Sequence, residues 1–553
     1  MTRVIVVGTG GAGLGAAIEA ARAGAHVDLV TKTRYDRQQY RWASAGGCTW
    51  KTHAFNAAVS PGDSVAAHIA DTITGGSQAN NPQLVDLLCH GSPDLVRWLE
   101  EAGLEFEKKN GESEFATRPF SGCGTPRGLF IEDRLGFHIQ RALNDELDKL
   151  VSDGKVEVLS GVRATRLMVD ADGAVNGLAA VVVDSLEILR LPGDAVILAD
   201  GGGTSMYAPT AASLDKTCDG ITLGLKAGAE VIDMEFVQFH PTGLVSDVLT
   251  FDGSLVEEAV RFDDATLLNR DRERFMFGHD PRGEQATRDV VSRGIYREII
   301  DGRGNDDGSV HLDISACRHL ILRRYPALAE RLTQAGCPLA DTTVLRIRPT
   351  AHFLMGGLRI DLNAQTSITG LYAAGETAGG VHGANRLGGN GLSEALVFGR
   401  IAGRHAAESA RRPSGHANDG VEIVGSYRFA GGPGRTSADS ILQDLRNGMY
   451  WNAGPIRTEH GLTRMLALIS ELEDQAQQVS IASGSRAAGD VQTYLDVENL
   501  LVASRTIVEG ALLRRESRGA HYRADFQKTM ESYEGTVASW KEDRLSWSTY
   551  SHS

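Results

Sequence analysis

The chain has 553 residues, 42% apolar and 23% charged, which is ordinary globular usage and excludes a disordered polypeptide. Its 71 acidic residues outnumber 56 basic ones, and the net charge of −15 opposes contact with phosphate backbones, so no nucleic-acid partner is expected. No stretch approaches the roughly 18 apolar residues of a membrane-spanning helix, and direct membrane insertion is not expected either.

The length admits about three to five domains. The N-terminus reads Met1, Thr2, Arg3 and then an apolar run, which leaves no room for a signal peptide, so a soluble cytoplasmic protein is expected. Six cysteines (Cys48, Cys89, Cys123, Cys218, Cys317 and Cys337) lie far apart without a CxxC pair, and no metal site is expected. Glycine is over-used: 64 of 553 residues, about 12% against a usual value of about 7%. The glycines cluster in short tracts, as they do where a backbone approaches something closely.

In chain order, residues 4–7 read as a buried strand that runs into Gly8-Thr9-Gly10-Gly11-Ala12-Gly13 and then a small-residue helix. This is the strand–GxGxxG–helix pattern of a dinucleotide site. Gly8 permits the turn, Gly10 lets the backbone near a pyrophosphate, Gly13 allows helix and strand to pack, and the helix N-terminus faces the phosphates. Gly11 lies in the same tract. The next strand, 26–30, ends at Thr31-Lys32, where a ribose-binding acid would stand in an ordinary NAD enzyme; FAD remains compatible. A strand over 194–199 runs into Gly201 to Gly203. A third glycine tract, Gly370 to Gly391, precedes a helical run over 394–406. Three such strand ends converge if they share one parallel sheet. The stretch between the second and third tracts then reads as an insertion. Residues 412–420 read as a polar linker, and Val497, Leu500, Leu501, Ser504, Ile507, Val508 and Ala511 recur at helical spacing. Residues 540–553 are expected to be partly loose.

Four ordered motifs carry a resemblance. They are Asp233-Met234-Glu235-Phe236-Val237-Gln238-Phe239-His240-Pro241-Thr242-Gly243, Arg348-Pro349-Thr350-Ala351-His352-Phe353-Leu354-Met355-Gly356-Gly357, Val381-His382-Gly383-Ala384-Asn385-Arg386-Leu387-Gly388 and Arg514-Arg515-Glu516-Ser517-Arg518-Gly519-Ala520-His521. On these the chain resembles the flavoprotein subunits of fumarate reductase and succinate dehydrogenase, and their relative L-aspartate oxidase. The resemblance implies an α/β fold with four segments. An FAD-binding Rossmann-like parallel sheet is formed from 1–234 and 349–410, an α+β capping domain is inserted at 235–348, and a helical domain follows over 411–553.

The resemblance also implies a chemistry: hydride moves between FAD and a carbon next to a carboxylate, while a proton moves at the neighbouring carbon. His240, His352 and Arg386 match the carboxylate anchors, with Phe120 and Glu257 beside them in the substrate site. Arg288 falls at the position of the general acid. An arginine holds its proton tightly, so it needs a relay, and Glu258 and Arg261 match one. The alternative for Arg288 is a structural ion pair with Asp289 or Glu284. The implied cofactor contacts are Gly8, Gly10, Gly11, Gly13, Thr31, Lys32, Ala45, Gly46, Gly47, Asp219, Glu376, Asn390 and Leu392.

Two positions depart from the family. Tyr40 stands where a flavin-linking histidine would be, and the nearest later histidine, His53, lies beyond the glycines, so FAD is expected to be held without a covalent bond. Glu257 stands where a threonine is usual. It either turns outward, becomes protonated, or receives an ammonium or hydroxyl group. The expected reaction interconverts a saturated and an α,β-unsaturated dicarboxylate. The alternatives are oxidation of an amino-dicarboxylate, as in L-aspartate oxidase, and service as the flavin-bearing subunit of an electron-transfer complex. The electron partner (oxygen, a reduced carrier or an iron–sulfur protein) stays open.

Overall fold

A computed structural model of the chain describes residues 2–34, 49–109, 113–409, 420–427, 436–481 and 487–552. Tyr40, Ala45, Gly46 and Gly47 lie outside the described residues.

The centre is a five-stranded parallel sheet in the order Leu371–Ala373, Ala195–Leu198, Arg3–Val7, His26–Thr31, Val156–Ser160. The three middle strands are nearly continuous Val, Ile and Leu, as strands covered on both faces must be. One face is covered by the helix Gly11–Arg22, against which the helix Asn390–Ser409 packs at backbone distance. A Cβ on Gly399 would fall 2.3 Å from the Ala12 carbonyl oxygen, and one on Gly403 would fall 2.2 Å from that of Ala16. Four residues apart on one helical face, these two glycines set the contact.

A cap with its own apolar core rises from this base. Leu267, Val291, Ile295, Leu312, Ile321, Leu328 and Leu345 pack there, separate from the main core. The cap carries a four-stranded antiparallel sheet in the order Val237–Leu244, Val344–Leu354, Val310–Asp313, Thr266–Leu268. Its two long strands continue from the cap toward the base. The expected boundary between residues 348 and 349 therefore falls inside one strand, and the connection is a paired ribbon.

The C-terminal part contains the helices Ala438–Asn452, Glu459–Ala476 and Ala487–Leu513. All seven positions read at helical spacing in the last of these are buried. The expectation for the end of the chain is corrected: Gly535–Lys541 and Arg544–Tyr550 form an antiparallel hairpin. The hairpin joins Val231–Ile232, some 300 residues upstream, in a second five-stranded sheet. Thr536 donates from its backbone to Asp233 Oδ1 (3.1 Å) and from its hydroxyl to Glu235 Oε2 (2.9 Å), which fastens the hairpin to the segment leading into the cap. Arg514 holds the same segment through Glu235 (2.6 Å).

Candidate active site

A cavity of about 710 Å³ runs from the carboxyl ends of the parallel strands to the underside of the cap. This lies within the usual range for small-molecule sites. At the sheet end, Gly8 has φ +108°, and a Cβ there would come within 2.4 Å of the Ala199 carbonyl oxygen, so only glycine serves. Gly13 is spent on packing: its Cβ would overlap the Gly8 carbonyl at 1.9 Å. Gly10 is the N-cap of the first helix, which has no side-chain cap and no acidic residue in its first turn. Gly10, Gly11 and Ala12 line the cavity, and the helix terminus there, where Thr49 Oγ1 accepts the Gly11 N–H (2.9 Å), suits an anion.

Thr31, Lys32, Asp219, Glu376 and Leu392 line the same cleft. Lys32 Nζ bonds Asp219 Oδ2 (2.8 Å) and Arg163 bonds Asp219 Oδ1 (2.6 Å). Burial opposes ionisation of Asp219, but Arg163 and Lys32 hold its carboxyl well below the ordinary range. Glu376 pairs with Lys216 and accepts the Leu354 backbone N–H (3.0 Å). Asn390 is turned elsewhere: its amide bonds Thr72 (3.0 Å), His68 (3.0 Å) and Asn56 (2.8 Å) behind the wall. Glycine turn, helix N-terminus and fixed Lys–Asp pair together fit FAD.

Under the cap, the paired ribbon brings His240 and His352 to a ring-centroid distance of 5.5 Å. Both imidazoles sit well below their ordinary pKa, through burial first, then through Arg288 for His240 and Arg386 for His352. They are neutral donors at pH 7. Arg386 rests over the Phe353 ring at 4.4 Å. Burial and repulsion from Arg288 bring it down to about 9, which leaves it protonated at pH 7.

Arg288, first residue of the helix Arg288–Ile300, donates from Nε to Glu258 Oε2 at 2.6 Å. The suggested alternatives are occupied elsewhere, since Asp289 pairs with Arg293 and Glu284 with Arg274. Glu258 Oε1 accepts the Ser121 backbone N–H (2.9 Å) and lies 3.8 Å from Arg261 Nη2. Burial works against its ionisation, but Arg288 and Arg261 overcome this and hold the carboxyl well below the ordinary range. Arg261 is fully buried, and burial lowers its pKa. Phe120, beside Ser121, lines the cavity against Gly388, where a Cβ would fall 2.3 Å from the ring.

Glu257 does not turn outward. It is 5% exposed, on the cavity wall, with Oε1 bonded to Arg331 (2.6 Å) and His53 (2.9 Å). Sequence reading missed Arg331, on the cap helix Pro326–Gln334, because nothing local marks it. It also passed over Gln238, although the residue stands in a quoted motif. Gln238 Oε1 accepts from both Arg288 Nη1 and Arg386 Nη2 at 3.1 Å, while Nε2 donates to the Arg386 carbonyl (2.7 Å) and to Asn385 (3.2 Å).

This fold and site define a flavin-dependent oxidoreductase with a cavity enclosed between a dinucleotide-binding sheet and a cap. Residues 3–392 match the FAD binding domain family and residues 442–551 the fumarate reductase flavoprotein C-terminal family. The chain belongs to the fumarate reductase and succinate dehydrogenase flavoprotein family, which includes L-aspartate oxidase. It is 34% identical to the fumarate reductase flavoprotein of Mycobacterium tuberculosis, over 95% of this chain and 92% of that one. It is 36% identical to L-aspartate oxidase of Caulobacter vibrioides, over 95% and 93% of the two chains. The flavoprotein of E. coli quinol fumarate reductase superposes with a TM-score of 0.88 at 27% identity, covering 100% of this chain and 97% of that one.

Proposed function

We propose that this FAD-dependent oxidoreductase interconverts a saturated and an α,β-unsaturated dicarboxylate, with Arg288 as the proton donor. The observation that carries the reading is the gathering of His240, His352, Arg386 and the Arg288–Glu258–Arg261 chain around one cavity. Bound FAD supplies hydride exchange. The protein does the rest. Arg386 and the two imidazoles bind and orient the substrate carboxylates by charge-assisted and neutral N–H bonds. Among the described residues Arg288 has Nε on Glu258 and Nη1 on Gln238, and in this reading its Nη2 hydrogens serve the substrate carbon. Glu258 and Arg261 return the proton. The cap excludes water and so strengthens each of these interactions.

FAD is held without a covalent bond in this reading. His53, the nearest later histidine, has Nδ1 on the Asp133 carbonyl (2.8 Å) and Nε2 on Glu257 (2.9 Å), which supports it. Electrons reach the flavin from a partner carrier or protein, and the enzyme works in the cytoplasm. Among the described residues no helix is long and apolar enough to cross a membrane.

Anaerobic stopped-flow on the holoenzyme tests the reading. Chemically reduced flavin is expected to reoxidise rapidly on mixing with fumarate or a substituted relative. Failure of every unsaturated diacid, together with failure of every saturated or amino diacid to bleach the oxidised enzyme, would overturn it.

A further inference from the structure

The cap helix Pro326–Gln334 turns one face to the cavity: Ala327, Glu330, Arg331 and Gln334, at steps of three and four, all line it. Arg331 spends Nη2 on the Leu255 carbonyl (2.7 Å) and on Glu257 Oε1 (2.6 Å). Its Nε and Nη1 have no hydrogen-bond partner among the described residues, and its side chain is 25% exposed. Lys51 of the base lines the same cavity, is exposed, and pairs with no carboxylate among the described residues. The acids of this wall are turned away or occupied. Glu257 Oε2 and Asp133 Oδ1 are buried, while Glu257 Oε1 is bonded to Arg331 and His53 and Asp133 Oδ2 accepts the Leu328 N–H (3.0 Å). Glu330 is paired with Arg134 (3.1 Å). What this wall offers a ligand is therefore cationic, in a protein whose net charge is −15. The wall adjoins the proposed carboxylate anchors, since the charge of Glu257, which Arg331 holds, acts on His240. His240, His352 and Arg386 account for two carboxylates, and Arg331 is left over. One guanidinium can serve several carboxylates in this protein: Arg514 pairs with Asp233, Glu235 and Glu516 together.

We propose that Arg331 is an anchor for a third carboxylate, so that the enzyme takes a diacid whose branch carries a further carboxylate in preference to an unbranched one. The inference rests on the dicarboxylate reading above and names the substrate class within it. The free nitrogens of Arg331 reward an anionic branch with charge-assisted bonds, whereas an apolar branch gains none. Lys51 adds positive charge to the same cavity and draws the anion in.

The test is binding to the oxidised holoenzyme, followed by the flavin absorbance change, with succinate, methylsuccinate and propane-1,2,3-tricarboxylate as probes. The triacid is expected to bind about tenfold or more tightly than either diacid. Arg331→Gln is expected to bring all three within about threefold of one another at unchanged flavin content. That variant strands the buried charge of Glu257, so where it loses flavin the paired change Arg331→Gln with Glu257→Gln takes its place, and the wild-type ratios decide if neither holds it. Wild-type affinity for the triacid no greater than for succinate overturns the anchor. So does methylsuccinate binding as tightly as the triacid, or a preference for the triacid that survives in the variant. Binding of none of the three overturns the dicarboxylate reading itself.

Discussion

Arg288 Nε stands 2.6 Å from Glu258 Oε2, across 30 positions of sequence, with both side chains buried. A charge pair of this kind contributes little net stability in itself, yet breaking it strands a charge away from water. The pair therefore fixes the direction of the guanidinium and, in the proposed reaction, the route by which it regains a proton.

Replacing Arg288 with lysine keeps the charge but loses the bond geometry of Nε and Nη1. Reoxidation of the reduced enzyme by an unsaturated diacid is expected to slow by roughly 10²–10⁴-fold, with flavin content unchanged. Glu258→Gln is expected to slow it as well and to destabilise by about 3–5 kcal/mol, because Arg288 and Arg261 lose their shared counter-charge. Stopped-flow absorbance and thermal unfolding measure the two effects.

Gln238 holds two like-charged guanidiniums on one oxygen. Gln238→Leu is expected to lower kcat by about 10–100-fold and to raise KM, since Arg288 and Arg386 lose their common register. Steady-state kinetics separates this from a folding defect, which would lower flavin content and leave kcat per flavin intact.

Glu394 supplies a pH signature. It is 1% exposed with no hydrogen-bond partner on either carboxyl oxygen among the described residues, His382 Nε2 standing 3.8 Å from Oε2, and burial and the charge of Glu376 push its pKa from 4.5 up to about 8. The unfolded chain therefore binds fewer protons than the folded one between these values, and stability falls as pH rises across that window. Glu394→Gln matches the protonated acid and removes the effect. Relative to the variant, the wild-type protein is expected to lose up to about 1.4 kcal/mol per pH unit between pH 5 and 8. Thermal melts across that range check it, and parallel pH profiles for the two proteins would contradict the assignment.

Gly399 lets two helices meet at backbone distance. Gly399→Val is expected to cost about 1–3 kcal/mol by overpacking and to weaken flavin retention, because the helix it displaces begins with the Ala12 turn. Thermal unfolding and the flavin-to-protein absorbance ratio report both.

Acid precipitation of the holoenzyme is expected to leave a colourless pellet and free FAD in the supernatant. A yellow pellet would show a covalent bond and redirect attention to Tyr40.

The sequence alone determined whatever depends on neighbours along the chain. The turn at Gly8 needs a conformation only glycine tolerates, the helix over 487–513 announces its buried face by spacing, and the four motifs name the family and its anchors. Tertiary structure decided what depends on approach between distant segments. Glu257 meets Arg331 across 74 positions, and Gln238 meets Arg386 across 148. The final hairpin finds its strand near residue 231, and one continuous strand crosses the expected cap boundary. Whether Glu257 is exposed or buried could not be read locally. An exposed carboxylate and an ion-paired buried one have the same side chain, and only the guanidinium brought by the folded cap makes burial of the charge tolerable.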